Sequence, residues 1–108
     1  LGPSKVVLTG VAFDGRQVGS ASYDRSTDEI SYALSDTVDG YFHGTGDVFA
    51  SALLGAYMNG LSLAESARIA VDYTHGCIVR TKEADTDLRY GVDFEHGIPD
   101  LLRQTGII

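Results

Sequence analysis

The chain has 108 residues, 44% of them hydrophobic, which is enough apolar material for one folded core but not for two domains. Its formal net charge is −7 and its basic residues form no run, a distribution that argues against nucleic acid or an anionic membrane as a partner. No segment approaches the ~18 uninterrupted apolar residues of a membrane span. The single Cys77 lies in an apolar helical stretch, so we expect a buried thiol and a cytoplasmic location.

Strands are predicted for the first third of the chain. Residues 5–13 form a β-branched, mostly apolar run, typical of a parallel strand covered on both faces, and Asp14-Gly15 signals a turn. Residues 17–23 and 29–34 predict two shorter strands, interpreted as a hairpin at the edge of a sheet. Thr9 would lie at the end of the first strand, where α/β sheets place ligands.

Helices are predicted for the rest. The first spans residues 46–58 and stops at Asn59-Gly60, and a short terminal helix covers residues 98–103 with Pro99 in its first turn. Between them, Ser62 and Glu65 fit a capping box that opens a helix reaching about residue 81. Its core-facing residues, recurring at helical spacing, should be Leu63, Ala67, Ala70, Val71, Thr74 and Ile78.

The tetrapeptide Gly44-Thr45-Gly46-Asp47 stands at the threshold of the first helix. A helix start has unpaired N–H groups and partial positive charge, and glycines let that backbone approach a phosphate closely. A carboxylate at the same point could take a proton from an attacking hydroxyl. The same residues also suit a plain turn with Thr45 or Asp47 as N-cap, and on these four residues alone the cap is favoured because caps outnumber phosphate sites.

The flanking sequence reverses that preference. Residues 39–56 resemble the C-terminal signature of the ribokinase-like superfamily and are most similar to its pyridoxal/pyridoxamine kinase branch, in which Gly-Thr-Gly-Asp is followed by an aliphatic residue and Phe. Sugar kinases of the superfamily usually show Thr-Gly-Ala-Gly-Asp, and hydroxymethylpyrimidine kinases typically carry Cys where Asp47 stands. Residues 5–10 and 89–95 also look familial, so the resemblance covers most of this chain but only the C-terminal part of the family's chain.

The resemblance implies an α/β fold of the three-layer ribokinase-like type. Residues 1–108 would be a single C-terminal fragment of the kinase domain, carrying a strand, an edge β-hairpin and then helices, with the N-terminal part of the domain absent. Homodimers are common among the relatives, although nothing in these residues demands one.

The implied reaction is ATP-dependent phosphorylation of the 5′-hydroxymethyl group of pyridoxal, pyridoxamine or pyridoxine, as in vitamin B6 salvage, with Mg²⁺ bridging the phosphates. A kinase for another hydroxymethyl heterocycle, such as hydroxymethylpyrimidine, and a non-catalytic nucleotide-binding module stay open as alternatives. The partners would be ATP and a small-molecule substrate. The isolated fragment is expected to be inactive.

The resemblance also assigns residues. Asp47 would be the general base, and the adenine would lie against Val38 and Phe42. The phosphates would be held by an anion hole and a strand-end hydroxyl, formed by Gly44, Thr45, Gly46 and Thr9. We assign no metal ligands, because His75 and His96 lack ligand spacing with Cys77 and with each other.

Overall fold

The computed structural model describes residues 2–38, 44–83 and 94–106. Three strands come first, followed by helices: β1 (Lys5–Asp14), β2 (Gln17–Asp24), β3 (Glu29–Asp36), α1 (Thr45–Met58), α2 (Leu63–Glu83) and, after a 3₁₀ turn at Glu95–Gly97, α3 (Ile98–Gln104). The predicted order of strand, hairpin and helices is confirmed, with small differences at the ends of the elements.

The strands form one sheet in the order β1-β2-β3, and both pairings are antiparallel. The prediction that β1 is covered on both faces is wrong for this part of the chain, because every residue of β1 is exposed or only partly buried. Among the described residues its one partner is the antiparallel β2, so the expected parallel pairing is not present here. An apolar run indicates a strand but does not identify its neighbours.

A bulge interrupts β1 next to Thr9. Thr9 pairs with Ser20 and Val11 with Gly19, so Gly10 is the extra residue, and its φ of +71° is a conformation that glycine adopts readily. Thr9 therefore lies in the middle of β1 rather than at its end. The bulge nevertheless breaks the regular ladder at this point, which frees the backbone there from strict sheet pairing.

The turn between β2 and β3 is held by side chains. Asp24 accepts hydrogen bonds from the hydroxyl (2.6 Å) and the backbone N–H (3.0 Å) of Ser26, and the hydroxyl bond is the main reason that the pKa of Asp24 is lowered. Tyr23 donates a hydrogen bond to Asp28, which adopts φ +54°. The turn fixes the register in which β3 pairs with β2.

The core lies between the sheet and the helices and is built largely of small side chains. Its members are Ala33, Phe49, Ala52, Ala67, Ala70 and Val71. Cys77 is fully buried, as predicted, and as the single cysteine of the sequence it forms no disulfide within the chain. Of the residues predicted to face the core from α2, Thr74 and Ile78 are only partly buried. That part of the prediction is wrong because the helix face continues past the core into a cleft.

The helix ends follow the local signals. Asn59 is the C-cap of α1, and Gly60 follows with φ +89°, as the Asn-Gly pair predicted. At the start of α2 the Ser62 hydroxyl accepts a hydrogen bond from the Glu65 N–H at 3.1 Å. Within the described ranges only this half of the predicted capping box is formed. Pro99 lies in the first turn of α3.

Large apolar side chains remain exposed on the sheet face that points away from the helices, where Phe13 and Tyr32 pack edge to face. Leu54 and Met58 are exposed on α1. In the part of the chain that the structure describes, no helix is both long enough and apolar enough to cross a membrane.

Gly19 lies where β2 and β3 come closest. A Cβ built at this position would be 1.8 Å from the carbonyl oxygen of Ala33. We predict that Gly19→Ala lowers the free energy of unfolding by about 3 kcal/mol or more, because the strands must separate to accommodate the methyl group. The control is Gly15→Ala in the β1–β2 turn, where a Cβ meets nothing within 4 Å and the expected change is below about 0.5 kcal/mol. Urea unfolding of both variants measures the difference, and equal midpoints would contradict the prediction.

Candidate functional site

A cleft of about 420 Å³ opens between the sheet and the helices. The sheet contributes residues around the β1 bulge and the facing part of β2, and the end of β3 continues the wall through residues 35–38. The start of α1 closes one side with Thr45, Gly46 and Phe49. One face of α2 forms the opposite wall with Val71, Thr74, His75 and Ile78.

The start of α1 has no side-chain cap. Gly44 is the N-cap with φ +85°, and among the described residues no side chain caps the first backbone amides. The alternative interpretation, in which Thr45 or Asp47 supplies a capping side chain, is therefore not what the helix start shows. The helix begins with the Val48 N–H donating to the Gly44 carbonyl at 3.0 Å, which leaves the three preceding amides without an intrahelical acceptor. A helix start with unpaired amides favours the binding of an anion.

The structure brings four of the predicted site residues to one cleft, namely Thr9, Val38, Thr45 and Gly46. They come from β1, from the segment after β3 and from α1, so only the folded chain places them together. Gly44 adjoins them as the N-cap of α1. Phe42 lies outside the described residues.

Asp47 does not line the cleft. It lies in the first turn of α1 with an exposed side chain. Successive helical residues project about 100° apart, so Gly46 and Asp47 face different sides of the same turn. The carboxylate is therefore adjacent to the cleft-facing backbone but outside the cleft itself.

Sequence reasoning missed several residues that line the cleft. The third strand was predicted to end at residue 34, whereas β3 continues through Ser35 and Asp36, and both line the cleft. His75 was considered only as a metal ligand, and it completes the α2 wall beside Thr74. The spacing of residues 71, 74, 75 and 78 marks one helix face and was the available signal.

The family follows from a comparison of sequences. A profile of the family described as phosphomethylpyrimidine kinase matches residues 1–91. The chain belongs to this family. No curated protein matches the chain.

Solved structures of related kinases have the same fold as this chain over the matched residues. A pyridoxal kinase from Lactobacillus plantarum is 26% identical with a TM-score of 0.81, and the match covers 92% of this chain and 35% of that one. A candidate phosphomethylpyrimidine kinase from Bacteroides thetaiotaomicron is 26% identical with a TM-score of 0.87 in a rhombohedral crystal, over 93% of this chain and 34% of that one.

An orthorhombic crystal of a candidate phosphomethylpyrimidine kinase from the same organism, described as a form with pyridoxal, gives 25% identity and a TM-score of 0.82. That match covers 93% of this chain and 36% of the other. The chain thus spans about a third of the length of the solved structures it matches. Its α/β fold, a three-stranded sheet followed by helices, is the corresponding part of the ribokinase-like fold.

Gly46 offers a test of the helix start as a phosphate site. A Cβ at Gly46 meets nothing within 4 Å, so Gly46→Val should change the free energy of unfolding by less than about 1 kcal/mol. The side chain would instead occupy the space beside the first amides of α1, and we expect phosphoryl transfer by the complete enzyme to fall about a hundredfold. Thermal unfolding and steady-state kinetics measure the two effects.

The matched control is Gly15→Val, which also adds a side chain in open space but lies outside the cleft. It should leave both stability and turnover nearly unchanged. Equal losses of stability and activity in Gly46→Val would favour a plain turn over an anion site.

Proposed function

We propose that the complete protein is an ATP-dependent kinase that phosphorylates the 5′-hydroxymethyl group of pyridoxal, pyridoxamine or pyridoxine. The observation that carries the proposal is the uncapped, glycine-bordered start of α1 at one end of the cleft, in a chain of the phosphomethylpyrimidine kinase family. A phosphotransferase needs a site for the phosphates and a cleft for the nucleoside, and a helix start of this kind beside a cleft of this size can supply both.

The residues present fit a nucleotide. Within residues 2–38, 44–83 and 94–106 the amides of Thr45 and Gly46 have no side-chain partner, and neither Gly44 nor Gly46 presents a Cβ toward a bound phosphate. The Thr9 hydroxyl, beside the β1 bulge, would contact the phosphates from the sheet side. Val18 and Val38 line the same cleft and offer apolar surface to the base, a place that Phe42 would share.

Asp47 would act as the general base. In this scheme the carboxylate takes the proton of the acceptor hydroxyl while the hydroxyl oxygen bonds to the γ-phosphorus of ATP. The bond between that phosphorus and the β,γ-bridging oxygen breaks, and ADP leaves with the bonding electrons. Amides at the start of α1 would hold the transferred group by donating hydrogen bonds to its oxygens.

Magnesium would enter the site bound to the phosphates of the nucleotide. Among residues 2–38, 44–83 and 94–106, no group of three or more His, Cys, Asp or Glu side chains could hold a metal ion. Mg²⁺ commonly keeps several waters and binds substrate phosphates with one or two carboxylates, and when bound it neutralises phosphate charge.

Two acceptors have specific support. The Lactobacillus relative is a pyridoxal kinase, the Bacteroides crystal form contains pyridoxal, and this chain has Asp47 followed by Val-Phe as in the pyridoxal kinase branch. The family description and the Bacteroides relative favour hydroxymethylpyrimidine as the second candidate. A non-catalytic nucleotide-binding module is less well supported, because a module that only binds does not need the carboxylate at position 47.

The cytoplasm is the compartment that we propose for this reaction. Cys77 is a buried thiol outside any disulfide, which suits a reducing environment, and the net charge of −7 disfavours nucleic acid as a partner. The proposed partners are therefore small molecules, ATP and the vitamer.

Asp47→Asn tests the kinase and its base together. The complete gene product is given MgATP with pyridoxal, pyridoxamine, pyridoxine or hydroxymethylpyrimidine in turn, and phosphorylated product is measured. We expect the wild type to phosphorylate a B6 vitamer and the variant to lose about 10²- to 10⁴-fold in turnover, because the amide cannot accept the proton.

The matched control is Asp100→Asn, which makes the same change in the first turn of α3, outside the cleft. It should retain wild-type turnover. Near-normal activity of Asp47→Asn would refute the assignment of the base. Phosphorylation of hydroxymethylpyrimidine alone would move the proposal to the second acceptor.

The 108-residue chain by itself should give no phosphoryl transfer above a no-protein blank. It spans about a third of the solved kinases it resembles, and we expect the acceptor pocket to require residues beyond this third. Product formation from MgATP and pyridoxal, followed by chromatography, measures this. Clear turnover by the purified chain would show that the matched third is sufficient for catalysis.

A further inference from the structure

Thr74 carries a hydroxyl with no hydrogen-bond partner on the α2 wall of the cleft. Its side-chain oxygen is buried and, among the described residues, makes no hydrogen bond, although Thr74 itself lines the cleft. Burying a hydroxyl without a partner is unfavourable. An unsatisfied group beside a cleft therefore needs an explanation.

Two other threonines, Thr81 in α2 and Thr105 at the C-cap of α3, form local hydrogen bonds to backbone carbonyls. The Thr81 hydroxyl donates to the Cys77 carbonyl at 2.7 Å, and the Thr105 hydroxyl bonds to the Leu101 carbonyl at 3.0 Å. Both use the carbonyl four residues earlier, which is the usual local acceptor. Thr74 has the equivalent carbonyl of Ala70 available and does not use it.

The surroundings of Thr74 indicate what would bind there. Val71 and Ile78 flank it on the same helix face, and Val18 and Val38 line the cleft from the sheet side. Apolar side chains on both sides of the Thr74 hydroxyl suit the flat, partly polar surface of a nucleoside better than they suit phosphates, which require N–H donors or cations.

We propose that Thr74 is a nucleotide-binding residue whose hydroxyl hydrogen-bonds the nucleoside half of bound ATP. The proposal rests on the proposed kinase function. Threonine adopts two rotamers in helices, so a rotation about χ1 can turn the hydroxyl into the cleft when a ligand arrives. The hydroxyl then gains the hydrogen bond that it lacks in the ligand-free protein, and specificity for a nucleoside follows from that gain.

The test is Thr74→Val, which keeps the shape of the side chain and removes the hydroxyl. Two effects of opposite sign are expected in the complete gene product. The ligand-free protein should unfold at a higher temperature, because a buried unsatisfied hydroxyl is gone. The dissociation constant for ATP, measured by calorimetry, should rise on the order of fivefold, because one hydrogen bond is lost.

Two further variants complete the design. Thr74→Ser retains the hydroxyl and should bind ATP within about twofold of the wild type. Thr81→Val removes a hydroxyl that is satisfied within α2 and should lower the unfolding temperature while leaving the ATP affinity unchanged. Inorganic tripolyphosphate lacks a nucleoside, so Thr74→Val should bind it as tightly as the wild type does.

The outcomes separate this proposal from the kinase proposal. A wild type that binds no ATP overturns both. Wild-type ATP binding with an unchanged dissociation constant in Thr74→Val overturns the role of Thr74 and leaves the kinase standing. Equal weakening of ATP and tripolyphosphate in Thr74→Val refutes a contact to the nucleoside. Weakened ATP binding, unchanged tripolyphosphate binding and a raised unfolding temperature support the proposal.

Discussion

The close packing of α2 on the sheet is the contact on which the cleft depends. The side chains between them are small: Ser20, Ala33, Ser66, Ala67 and Ala70 are buried, and four of them are at most 1% exposed. Small residues let a helix approach the strands closely, and they contribute modest apolar area each, so the layer relies on close fit. Where the core meets the cleft the side chains are larger, because Val71 and Phe49 belong to the core and also line the cleft.

The open apolar surfaces lie away from that space. Leu8 and Ile30 are exposed on the outer sheet face, and Leu54 and Met58 on α1, and none of the four lines the cleft. Exposed apolar patches of this kind are where other protein surfaces pack. The chain corresponds to about a third of each solved relative. If other protein surfaces pack on these four residues, the cleft stays open to a ligand, because none of the four lines it.

Local signals predicted the elements well, because a helix end or a tight turn is decided by a few neighbouring residues. Asn59-Gly60 and Ser62 mark real boundaries for this reason. The burial of a side chain and the pairing of a strand are harder to predict, because they depend on how distant segments of the chain pack. The apolar run of β1 indicated a strand correctly but not its exposure, and the face of α2 was correct although Thr74 and Ile78 border a cleft instead of the core. The motif at position 44 required resemblance to a family, because four residues alone favoured a cap that the structure does not form.

The first turn of α1 carries both parts of the proposed chemistry, the amides that would bind phosphate and the carboxylate that would accept the proton. Gly46 lines the cleft and Asp47, the next residue, is exposed on another side of the turn. A base inside the nucleotide cleft would compete with the phosphates for the same amides and would repel them electrostatically. A base rotated about 100° away can instead meet an acceptor that approaches from outside, while the transferred group stays on the backbone amides between them. Phosphoryl transfer needs donor and acceptor on roughly opposite sides of the phosphorus, and in the proposed scheme Gly46 would face the donor while Asp47 would face the acceptor.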